Sequence, residues 1–220
     1  MLIIVTGMQR EALIVGRDGE VLVAGGDNAG LAARIDAAAR RGGRAVISIG
    51  IGGGLQPGLA VGQAVIATEV VSGSDRRAAD TRWRNAIAAR LPDAVCDAIA
   101  GSDRIVAAPA AKAALRRDSG AVLVDMESHI AAQAAAACGL PFAALRVVSD
   151  DAEHALPPAA LVAIGPDGSS RMGAVLRSLA ARPGQIPGLI RTARDSARAM
   201  ASLRRCSALL GGGLACPYLG

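Results

Sequence analysis

Apolar runs of strand length that stop at acidic residues constrain this chain more than any other feature. Ala-Val-Leu-Val at 121–124 runs into Asp125-Met126-Glu127-Ser128 and then an Ala-rich helical pattern. Phe142 to Val148 ends in Ser149-Asp150, and Leu2 to Thr6 is followed by Met8-Gln9-Arg10-Glu11. Runs so largely apolar indicate strands buried on both faces. Their alternation with helices predicts an α/β fold with a mainly parallel (mixed) central sheet flanked by helices. Ligands of such sheets bind beyond the carboxyl ends of the strands. Three carboxylates, Glu11, Glu127 and Asp150, are predicted at those ends.

Other strands are expected at 21–24, 45–49, 64–71 and, briefly, at Ile105-Val106. Helices are expected from Asn28, as N-cap, to about 41, then over 79–91, 109–116 and 127–138. Residues 1–182 form the predicted α/β domain, and 151–170 read as a loop. A basic amphipathic helix over 183–206 is expected to pack on or beside it, followed by a disordered tail over 207–220. In that helix Leu189, Ile190, Ala193, Ala197, Met200 and Leu203 share one side, and Arg191, Arg194, Arg198 and Arg205 fall mostly on another. Eight arginines against Asp195 alone follow residue 169, so this end carries +7 of a net +5, and the body −2. A basic end on a near-neutral body points to an anionic surface or to solubility alone.

At 220 residues the chain suits one domain with a full core. One Trp, one Tyr and one Phe leave few aromatics to interleave with the arginines, so a base-stacking nucleic-acid surface is not expected. Cys96, Cys138, Cys206 and Cys216 show no metal spacing, and no metal is expected. No apolar run reaches the roughly 20 residues of a membrane span, and Met1–Val5 lacks the length and basic flank of a signal peptide. A cytoplasmic protein is the expectation. Gly50-Ile51-Gly52-Gly53-Gly54-Leu55 fails the dinucleotide fingerprint, because Leu55 stands where glycine is required. What remains is a turn, either empty or open to close approach by a ligand. Glu11 can equally serve as a helix-dipole partner, and Ser149-Asp150 as a helix cap.

Four motifs in order then carry a resemblance. Met8-Gln9-Arg10-Glu11 after a strand, the Gly-rich segment continuing as Leu55-Gln56-Pro57-Gly58-Leu59-Ala60-Val61-Gly62, Val124-Asp125-Met126-Glu127-Ser128, and Arg146-Val147-Val148-Ser149-Asp150 resemble the nucleoside phosphorylase/nucleosidase superfamily over roughly residues 2–151. The three-layer phosphorylase/hydrolase-like fold is implied. Leu156-Pro157-Pro158-Ala159-Ala160-Leu161 and the Arg-rich end resemble its hopanoid-associated phosphorylase branch.

The resemblance implies roles. Asp150 would protonate purine N7, and Glu11 would orient or deprotonate a water. Glu127 would hold the ribose hydroxyls, with Met126 lining the ribose pocket. Ile51, Gly52 and Gly53 would line the phosphate/ribose turn, and Val106 would offer backbone bonds to adenine beside Ile105, which replaces a stacking aromatic. N-glycosidic cleavage passes through a cationic sugar, so a fixed carboxylate and a base-protonating acid suit it. The implied activity is release of adenine from an adenosyl compound, adenosylhopane in the hopanoid branch. No cofactor is implied. Phosphate is the candidate co-substrate, but Glu11 and Ser48 stand where phosphorylases tend to carry arginine, which favours water. A homodimer is implied, and the basic helix suits peripheral contact with the inner membrane by a lipid-linked substrate. Rival readings are a methylthioadenosine/S-adenosylhomocysteine nucleosidase and a non-catalytic nucleoside sensor.

Overall fold

In the computed structural model five strands close into a ring, and that closure gathers the acids. The structure describes every residue except 16, 17, 26, 164, 166 and 220. Strand β1 (Leu2–Thr6), helix α1 (Gln9–Val15), β2 (Gly19–Val23), α2 (Asn28–Arg40) and β3 (Ala45–Gly54) open the chain. β4 (Ala64–Ser72), β5 (Asp75–Ala78), α3 (Thr81–Arg90), β6 (Val95–Gly101), α4 (Pro109–Ser119), β7 (Leu123–Asp125), α5 (Ser128–Ala137) and β8 (Phe142–Asp150) follow. Helices α6 (Pro158–Leu161), α7 (Met172–Ala181) and α8 (Ile186–Leu210) complete it.

β1 pairs in parallel with β2 and β3, and β3 in parallel with β8. β8 runs antiparallel to β4, β4 parallel to β6, β6 parallel to β7, and β7 antiparallel to β3. The circuit β3-β8-β4-β6-β7 therefore returns to its start. β3 can serve both the open and the closed part because it is 10 residues long and shifts register between Gly52 and Gly53. A bulge of this kind bends a strand.

Gly50 to Gly54 are thus strand, where a turn was expected, and the expected short strand at Ile105-Val106 is loop. The glycines have a packing reason. A Cβ on Gly52 would lie 2.6 Å from Leu123 Cδ2 and 2.7 Å from the Val124 carbonyl oxygen. Only a residue without a side chain admits β7 so closely. β5 and β6 were not anticipated: β5 is Asp-Arg-Arg-Ala, and β6 reads Val-Cys-Asp-Ala, without a continuous apolar run.

Helices cover both faces of the sheet. Leu31, Ile35 and Ala38 of α2 and Ala131, Ala132 and Ala135 of α5 pack on one face. Trp83 and Ile87 of α3 and Ala199, Leu203, Cys206 and Leu210 of α8 pack on the other. The α2 cap is Asp27, whose Oδ1 accepts the Gly30 N–H at 3.0 Å, one residue before the expected cap at Asn28.

α8 starts at Ile186, after the expected start at 183, and runs past the expected end at 206 to Leu210; its buried apolar stripe is Ala199, Leu203, Cys206 and Leu210. Ile190, expected on the packed side, is exposed instead. The segment after it is not a disordered tail. Leu214 is fully buried, the Trp83 indole N–H donates to its carbonyl at 3.0 Å, and the Tyr218 hydroxyl donates to Asp80 at 2.9 Å. Burying a leucine contributes roughly 1.5–3 kcal/mol, enough to order a short Gly-rich segment that reads as flexible. No helix among the described residues is long and apolar enough to cross a membrane.

Candidate active site

Where β1, β3, β7 and β8 end, a cavity of about 520 Å³ opens, a size that suits a small molecule. Glu11, Glu127 and Asp150 line it together with Met126, Ile51, Gly52 and Gly53. Ile105 and Val106 reach the same cavity from the loop after β6, with Ile105 exposed at the rim. The nine residues singled out in the sequence therefore surround one space. Arg10 is exposed and absent from the lining, whereas Arg104 and Arg171 contribute to it.

Each acid is seated over a glycine of a neighbouring segment. A Cβ on Gly7 would lie 2.7 Å from Glu127 Oε1, and one on Gly50 would lie 2.5 Å from Glu11 Oε1. One on Gly53 would come within 3.3 Å of Asp150 Oδ2. Absent side chains at these three places let the carboxylates approach the sheet backbone.

Glu11 is buried and held rigidly. Its Oε2 accepts the N–H groups of Gly7 and Met8, both at 2.8 Å, and its Oε1 accepts the Ile51 N–H at 2.8 Å. Burial pushes its pKa up, against the opposing pull of Arg146 and these three donors. A raised pKa on a fixed carboxylate suits a general base.

Behind Glu127 lies a charge network whose centre sequence reasoning missed. Arg146 of β8 is fully buried and ion-pairs through Nε with Asp125 and through Nη2 with Glu127 at 3.3 Å. Nη2 also donates to Ser48 Oγ at 2.6 Å. Burial alone would favour loss of its charge, but Asp125, Glu127 and Glu11 outweigh this and hold its pKa above the ordinary value. Asp125 also accepts the Ser128 N–H at 3.2 Å, so it caps α5 and leaves the Glu127 side chain free for the cavity. The available signal was one arginine in an otherwise apolar strand, a placement that demands buried partners.

Burial raises the Glu127 pKa to about 8, with Asp125 and Glu11 adding to the rise and Arg146 opposing it. The folded protein thus holds a proton that the unfolded chain releases from about pH 4.5 upward. By linkage, stability contributed by this group is present at low pH and lost progressively up to about 8. The melting temperature of Glu127→Gln minus that of the wild type should therefore climb by several degrees between pH 5 and 8 in scanning calorimetry. A constant difference would refute the shifted carboxyl.

Asp150 is fixed from two sides. The Ser149 hydroxyl donates to its Oδ1 at 2.6 Å, and the buried Lys112 ammonium of α4 reaches its Oδ2 at 2.5 Å. Lys112, too, was not anticipated. His129 and His154 stay with neighbouring acids, Asp103 at 3.1 Å and Asp151 at 2.7 Å.

The sequence pattern of the phosphorylase superfamily matches residues 2–181. The chain belongs to the phosphorylase superfamily. No curated protein matches it. Among solved structures it is similar to the S-adenosylhomocysteine nucleosidase of Streptococcus pyogenes in complex with 5-methylthiotubericidin, at 18% identity and TM-score 0.61, covering 92% of this chain and 94% of that one. The 5′-methylthioadenosine/S-adenosylhomocysteine nucleosidase of Neisseria meningitidis in complex with methylthio-immucillin-A is 20% identical with TM-score 0.63, covering 94% and 96%. A futalosine hydrolase mutant of Helicobacter pylori is 18% identical with TM-score 0.62, covering 82% and 98%. At these identities the likeness is one of fold. In this phosphorylase-superfamily member Glu11, Glu127 and Asp150 lie around a single cavity at the strand ends.

Proposed function

We propose that this protein cleaves the N-glycosidic bond of an adenosyl compound and releases adenine, with water as the nucleophile. The observation that carries this reading is the convergence of Glu11, Glu127 and Asp150 on one cavity from three strand ends. Asp150 protonates N7 of the departing purine, which turns a poor leaving group into a good one. Glu127 faces the ribose, where positive charge develops, and an arriving cation favours its ionised form. Glu11, pinned by three backbone donors, takes a proton from the attacking water. Water is favoured over phosphate because the guanidinium nearest these acids, Arg146, is engaged by Asp125 and Glu127. Arg104 and Arg171 at the cavity are the groups through which phosphate would be admitted.

The substrate we favour is adenosylhopane, in bacterial hopanoid biosynthesis. Arg171 lines the cavity, and Met172 and Leu176 directly after it are exposed one helical turn apart, as are Ile186 and Ile190 on α8. Exposed apolar side chains that follow a cavity-lining arginine in the chain suit a lipid-linked 5′ substituent presented at an anionic membrane surface. A homodimer in contact with the inner membrane belongs to the same reading. The second reading, a methylthioadenosine/S-adenosylhomocysteine nucleosidase, is favoured by the similar solved structures.

Chromatographic assay of adenine released from adenosylhopane and from methylthioadenosine, each with and without phosphate, separates these readings. Release from adenosylhopane without phosphate is expected. Preference for methylthioadenosine would move the protein to nucleoside salvage, phosphate dependence would replace water as nucleophile, and no release from either would leave a nucleoside sensor.

A further inference from the structure

We propose that Lys112 is a positioning residue for proton delivery: it fixes the Asp150 carboxyl and supplies the countercharge for the carboxylate left when the proton departs. This rests on the reading of Asp150 as the acid that protonates N7.

Lys112 is the only lysine in a chain with 23 arginines. It is fully buried and does not line the cavity. From α4 its Nζ reaches Asp150 Oδ2 at 2.5 Å and also donates to the Asp151 carbonyl. A fully buried ammonium is rare and costly unless its donors are satisfied, so its bond to the Asp150 carboxyl matters. Lysine offers a compact point charge on a thin stem, whereas a guanidinium needs a broad planar site with several acceptors. With Ser149 Oγ on Oδ1, both Asp150 oxygens are held, and the carboxyl cannot swing away from the cavity.

Other charges surround the same carboxyl. Glu11 and Glu127 share its cavity with Arg104 and Arg171, Arg146 stands behind Glu127, and Asp151, Glu153 and His154 follow on the next turn. Among the described residues Lys112 is the charged group hydrogen-bonded to Asp150.

The step balances. As the C1′–N9 bond breaks, its electron pair leaves with the base and the Asp150 proton moves to N7. Water oxygen bonds to C1′, and its proton passes to Glu11. Asp150 becomes a carboxylate beside an ammonium already in place, and solvent returns the proton from Glu11 to Asp150. Charge that develops next to a preorganised partner in a dry site needs no reorganisation at the moment of reaction.

The test compares the adenosyl substrate cleaved in the assay above with its N7-methyl derivative, whose base is already cationic and needs no proton. Lys112→Met should lower kcat on the unmethylated nucleoside by about 10²-fold and leave the methylated one unchanged. The alkaline limb of its pH–kcat profile should move to higher pH, because the positive charge beside the acid is gone. Lys112→Gln, which keeps a donor and drops the charge, should fall with Lys112→Met. Equal losses on both substrates, or an unmoved pH limb, would overturn the role of Lys112 and leave a structural one. Normal cleavage of the unmethylated nucleoside by Asp150→Asn, or no cleavage by the wild type, would instead overturn the reading of Asp150. Should neither lysine variant fold, the wild type labelled with ¹⁵N-lysine gives a single side-chain resonance. Adenine binding should shift it, and an unmoved resonance would sink the proposal.

Discussion

Asparagine at position 150 is expected to lower adenine release by roughly 10²–10⁴-fold, the range of general acid catalysis, while adenine still binds. The amide keeps the shape of the carboxyl and its place beside Ser149, but it has no acidic proton for N7. The change also puts an amide where buried Lys112 bonds a carboxyl oxygen, so some loss of stability is expected alongside. Calorimetric titration with adenine separates the two effects, because a folded cavity retains binding when turnover is gone. A sensor would have no turnover to lose, and an Asp150→Asn protein that releases adenine at the wild-type rate would remove Asp150 from the mechanism.

Loss of Arg146 should have the largest effect on stability. Arg146→Met leaves Asp125 and Glu127 buried without their cation and facing Glu11. Breaking a buried pair by removing one partner costs about 3–5 kcal/mol, a large share of the roughly 5–15 kcal/mol that holds a domain together. In a chain of this size each kcal/mol moves the melting point by about 2–4 °C, so a fall on the order of 10 °C is expected. The deficit should widen as pH rises from 5 to 8 and beyond, since Glu127 calls on the guanidinium only once it ionises. Thermal melts of the variant across this range test it. A fall of a degree or two, independent of pH, would show that the acids find partners elsewhere.

These two residues mark the boundary of what the sequence discloses. Asp150 was legible because it follows a strand-length run, 142–148, that is apolar except for Arg146, and local pattern places such a residue at a strand end. Glu11 and Glu127 were legible for the same reason. Arg146 lies inside the same strand, and its partners Ser48, Asp125 and Glu127 come from other segments that nothing local connects to it. Lys112 carried a signal in its uniqueness, but one residue in an Ala-rich helix names no partner. The Gly50–Gly54 run was misread because glycine marks both turns and close approach. Only the bulk of Leu123, Glu11 and Arg146 above it reveals which applies.

By itself, then, the sequence determined the alternation of strands and helices, the acids at strand ends, and the superfamily that their order resembles. These follow from periodicities within single segments. The tertiary structure decided the closure of β3-β8-β4-β6-β7, the seating of α8 and Leu214 on the sheet, and the burial that pushes Glu127 up to about 8. Closure and desolvation are set by groups distant in the chain, and their energies exist only once those groups have met.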